Sequence, residues 1–122
     1  MAPREAKEIL HLARWLGLVQ GIALRGRDSY LADAVLQEAG DSLMIKIGEA
    51  ANRLAHMGVE APPGIDWSIA VANRNFVVHQ YDHVSRALTW HTLAMDLAAW
   101  RIALDPLITE ASELIAEVSH DE

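Results

Sequence analysis

The sequence predicts an all-α fold, an up-and-down bundle of four helices closed by a short fifth, C-terminal helix. Three observations carry this. Ala and Leu dominate and long β-branched runs are absent, a composition that favours helix. Apolar residues recur at helical spacing over several long stretches. Just over half of the 122 residues are apolar and only four are proline, so the chain can bury one sizeable core. A single domain over residues 1–122 follows, without repeats or low-complexity segments.

Each element has a local cause. Ile9, Leu12, Leu16, Val19 and Ala23 share one helix face, so a first helix is expected from about residue 4 to 24, ended by Arg25-Gly26-Arg27. Asp28 or Ser29 is the expected cap of a second helix, whose stripe is Leu36, Gly40, Leu43, Ile47, Ala50 and Leu54. Gly40 and Gly48 weaken helix propensity and fit a close approach of a neighbouring helix. His56 to Ile65 contains Gly58, Pro62, Pro63 and Gly64 and reads as a loop. Asp66 caps a third helix from Trp67, and Tyr81 to Ser85 forms a break. A fourth helix, about Arg86 to Leu104, is apolar on two faces. Leu88, Thr92, Met95, Ala99 and Ile102 form one, and Trp90, Leu93, Leu97 and Leu104 the other. It should sit centrally or lend a face to a dimer. Asp105-Pro106 starts the fifth helix, and the tail after Val118 is polar.

Several functions are excluded or disfavoured. Without cysteine there is neither a disulfide nor a thiolate metal site. No apolar run approaches the roughly 20 residues that span a bilayer, and the N-terminus lacks a signal pattern, so a cytoplasmic location is expected. The net charge of −7 argues against a broad nucleic-acid footprint but allows a narrow site with a few local cations.

One stretch carries chemistry: Arg74-Asn75-Phe76-Val77-Val78-His79-Gln80-Tyr81. Arg74 falls on the stripe of Trp67, Ala70, Val71, Val78 and Tyr81, where a core residue would be expected. A cation there needs a partner or a polar cleft. Asp66, Glu49 and Asp82 are candidate partners. Asn75 and His79, four apart, share a neighbouring face. An imidazole can take the proton of a ribose 2′-hydroxyl, and a guanidinium can stabilise the phosphorane that follows. This route needs no metal or cofactor. The spacing of His79 and His83, with Asp82 and His91 near, is the competing metal-ligand pattern. Trp15, Trp67, Trp90 and Trp100 are read as packing anchors rather than base-stacking platforms.

Arg-Asn-x-x-x-His-x-Tyr resembles the Arg-x4-His signature of HEPN domains, and more narrowly the HepT-like toxins of HepT/MntA toxin–antitoxin pairs. Asp33-Ala34-Val35-Leu36, Ile47-Gly48-Glu49-Ala50 and Ile65-Asp66-Trp67 follow the family's order, so the resemblance covers roughly residues 28 to 108. It implies a metal-independent endoribonuclease that cleaves single-stranded RNA as a homodimer, with two motifs lining one cleft. It also implies an MntA-like nucleotidyltransferase antitoxin, as in type VII systems, that adenylylates Tyr81. By the same resemblance Arg74 and His79 are catalytic, and Asn75 and Glu49 are supporting. A non-catalytic helical module that binds nucleotide or a nucleotidyltransferase is the alternative, and a metal-dependent hydrolase the third reading.

Overall fold

Pro3 opens α1 (Pro3–Arg25) at a position where its missing N–H costs nothing, and the Ala2 N–H donates to the Glu5 carboxylate at 3.1 Å. The computed structural model describes residues 1–80 and 83–121. Ala6, Ile9, Leu12, Leu16, Val19 and Ile22 form the buried stripe of α1, so Ile22 takes the place expected of Ala23. Gly26, at φ 88°, ends the helix in a conformation that L side chains rarely adopt.

The expected second helix is divided. A short α2 (Arg27–Ala32) buries Tyr30, and α3 (Ala34–His56) starts afresh. The cap is Asp33 rather than Asp28 or Ser29. Its carboxylate accepts from the Val35 and Leu36 N–H groups at 2.9 and 3.4 Å. Gly40, Leu43, Ile47, Ala50 and Leu54 of α3 are buried, as their spacing predicts.

Asp66 caps α4 (Trp67–Gln80) by accepting from the Ser68 N–H at 2.9 Å and the Ser68 hydroxyl at 2.6 Å. Those bonds hold its carboxyl below the usual value. The Trp67 indole donates to the Val59 carbonyl at 2.9 Å and meets Trp100 edge-on, which pins the loop to the core. The Ser85 hydroxyl then caps α5 (Arg86–His91), which runs on through a π-helical stretch, Thr92–Leu97, into α6 (Ala98–Ala103).

The π stretch has a packing reason. Thr89, Leu93 and Leu97 are buried, and their successive spacings of four would drift round an ordinary α-helix. Looser winding keeps them facing the core. α7 (Asp105–Asp121) spans 17 residues, longer than the short closing helix expected, and packs on α1.

The bundle is all-helical, as the composition predicts; no strand occurs among the described residues. Its centre is α1, which touches α3, the π stretch, α6 and α7. The rod from Arg86 to Ala103 is therefore not central. One face is buried, while Leu88, Met95 and Ile102 on the other are 50%, 63% and 75% exposed. All four tryptophans pack in or against the core. The core also holds two polar contacts that periodicity did not announce. Arg86 grips Asp41 with both terminal nitrogens at 2.7 and 3.0 Å, which raises the Arg86 pKa, and the Tyr30 and Thr89 hydroxyls meet at 2.6 Å.

Candidate active site

The site grows from the contact between α3 and α4. A Cβ on Gly48 would lie 2.2 Å from the Arg74 Cβ and 2.7 Å from the Ala70 carbonyl oxygen. Only a glycine lets the two helices come this close. Arg74 sits on the buried stripe of α4 with Trp67, Ala70 and Val77, so its stem crosses the face of Gly48. Of the other residues expected on that stripe, Val71 is half-buried and Val78 is 38% exposed.

The head of Arg74 emerges into a cleft of about 310 Å³. Gly48, Glu49, Asn52 and Arg53 line it from α3, and Val71, Arg74 and Asn75 from α4. The Arg74 guanidinium donates to the Asn75 side-chain oxygen at 3.1 Å and lies 3.8 Å from the Glu49 carboxylate. The second distance is too long for a hydrogen bond. Of the three partners considered for Arg74, Glu49 is the one in reach among the described residues. The Arg74 Nε is buried without a partner. That unsatisfied donor is the cost of seating a guanidinium stem on a buried stripe.

His79 stands apart. It is exposed, five residues beyond Arg74 on the same helix. Helical geometry sets the two side chains roughly 140° apart around the axis and about 7.5 Å along it. Among the described residues the cleft's polar contacts join Arg74, Asn75 and Glu49 and do not extend to His79. Asn75, also exposed, lies on the His79 side of the helix, one turn earlier.

Tyr81 and Asp82 lie outside the described residues, so the expected alignment of Arg74 with Tyr81 does too. Among the described residues no three His, Asp or Glu side chains group closely enough to hold a metal ion. Asn52 was not singled out by the motif. The available signal was its place three residues after Glu49, which puts both on one face of α3.

The arrangement can hold an anion. A guanidinium fixed at its stem, with an adjacent amide and an open approach, offers directional donors to a phosphate. No curated protein and no solved structure matches this chain. The family described as "Ribonuclease HepT-like" matches residues 11–107, which takes in α3, α4 and the whole cleft. The chain belongs to this family of HepT-like ribonucleases.

Proposed function

We propose that the protein is the toxin of a toxin–antitoxin pair and a metal-independent endoribonuclease for single-stranded RNA. The observation that carries this is Arg74, seated on a core stripe yet opening its guanidinium into a cleft. His79 takes the proton of a ribose 2′-hydroxyl, and the oxygen attacks the adjacent phosphorus. The phosphorus–O5′ bond breaks, and the leaving oxygen receives a proton. The products are a 2′,3′-cyclic phosphate and a 5′-hydroxyl. Arg74 stabilises the phosphorane, and Asn75 steadies Arg74 through their hydrogen bond.

The divergence of Arg74 and His79 calls for two copies. Ile69, Ala72 and Phe76 form an exposed apolar strip on α4, beside Asn75 and His79. Leu88, which lines a groove with Phe76, continues it, and Met95 and Ile102 lie farther along the rod. A second copy covering this strip brings two His79 side chains to one groove, where one serves as base and the other as acid. A nucleotidyltransferase antitoxin would silence the protein by adding an adenylate, with its negative charge, to Tyr81.

The test is RNA cleavage by the purified protein in EDTA, with the ends of the products identified. Cleavage with cyclic phosphate ends is expected, and His79→Ala should reduce it by about 10²–10⁴-fold. Intact activity in that variant removes His79 from the chemistry. A chain that stays monomeric and leaves RNA whole supports the non-catalytic binding module instead, because one copy alone does not bring Arg74 and His79 together.

A further inference from the structure

The cleft is larger than a phosphate needs, and its two sides differ. On the α4 side, Arg74 leans on the neutral amide of Asn75. On the α3 side it faces the Glu49 carboxylate across 3.8 Å, with Glu49 45% exposed. A carboxylate repels a phosphate, so the anion belongs on the Asn75 side. What remains beside Glu49 is a recess lined by a carboxylate, the Asn52 amide, the apolar Val71 and Arg53, whose guanidinium is held by Glu8. The Asn52 carbonyl is occupied by the His56 ring at 2.8 Å, but among the described residues its side-chain amide has no partner. The volume of about 310 Å³ lies at the small end of ligand clefts (~300–1,000 Å³).

We infer that this recess is a nucleobase subsite that selects guanine next to the scissile phosphate. The two carboxylate oxygens of Glu49 accept from guanine N1–H and N2–H, which are adjacent donors on its Watson–Crick edge. The Asn52 amide donates to guanine O6, and Val71 covers the ring face. Adenine, cytosine and uracil do not offer two neighbouring ring-edge N–H donors in this arrangement, so each leaves one Glu49 oxygen unmet. Unpaired bases are open to this kind of reading, in keeping with a single-stranded substrate. The subsite rests on the ribonuclease reading for its ligand and deepens it by naming a base.

The experiment measures binding separately from cleavage. Four short oligoribonucleotides, 2′-O-methylated throughout and differing at one position (G, A, C or U), are titrated against the full-length protein by fluorescence anisotropy at low ionic strength. The guanine oligonucleotide should bind about tenfold tighter than the others. Glu49→Gln presents one acceptor and one donor, a pair that the Watson–Crick edge of every base can meet, so it should lose that preference. Equal binding of all four, or binding of none, overturns the subsite. So does a guanine preference that survives in Glu49→Gln, or a uniform rise in affinity, which would mean that Glu49 acts only as a charge. Guanine preference without cleavage of unmethylated RNA sinks the catalytic proposal and leaves the subsite standing. Cleavage without base preference does the reverse.

Discussion

Arg74 holds a place that an apolar residue would normally fill, and its stem is packed while its head is open. Removing the head should therefore affect function more than folding. Arg74→Met, which keeps an apolar stem, is expected to lower RNA cleavage by about 10²–10³-fold with little change in the thermal midpoint. Arg74→Lys should recover only part of the activity, since an ammonium lacks the planar fork. Rates alongside melting curves check both. Asp41 is the opposite case. It is 9% exposed and doubly bonded to Arg86, with no role in the cleft's chemistry. Asp41→Ala leaves a cation with no partner. The cost should be about 2–3 kcal/mol in urea denaturation, below the ~3–5 kcal/mol of a fully buried pair because the Arg86 side chain is 25% exposed.

At the scale of the elements, the glycines separate helix propensity from helix contact. Gly21 in α1 has open space around its missing side chain, so Gly21→Ala should stabilise the protein by up to about 1 kcal/mol. A Cβ on Gly40 would meet the Leu93 Cδ1 at 2.7 Å, the end of a flexible side chain, and Gly40→Ala should be milder than at a backbone contact. A Cβ on Gly48 would collide with the Arg74 Cβ and the Ala70 carbonyl, which can yield only if α4 moves. Gly48→Ala should cost about 1–3 kcal/mol or more and also weaken RNA binding, because Arg74 moves with its helix. Denaturation midpoints in that order check the series; a neutral Gly48→Ala would refute the close contact. The helices themselves were legible in sequence. Periodicity placed α1, α3, α4 and the Arg86–Ala103 rod, since each buries one continuous stripe. The split at Asp33 and the π stretch were not legible. Asp28, Ser29 and Asp33 can all cap a helix, and the winding of the rod answers to contacts with α1.

For the whole molecule, the exposed apolar strip is the surface on which the proposed dimer rests. Ile69, Phe76, Leu88, Met95 and Ile102 are 51%, 39%, 50%, 63% and 75% exposed in a single copy. Phe76→Asp should shift the protein to a monomer in light scattering and abolish cleavage while leaving the helical circular dichroism unchanged. A dimer that persists in this variant would place the interface elsewhere. No described helix is long and apolar enough to cross a membrane.

The sequence by itself determined the helical class, the cap at Asp66, the placement of the tryptophans and the family to which the chain belongs. These depend on local spacing and on residue types in a fixed order, which a linear string preserves. Only the tertiary structure decided that α1 is central, that Asp41 meets Arg86, and that Glu49 and Asn52 share a cleft with Arg74. Those outcomes depend on which face of each helix meets which neighbour. Contacts such as that of Gly48 with Arg74, 26 positions apart in the chain, fix the choice, and no local pattern records it.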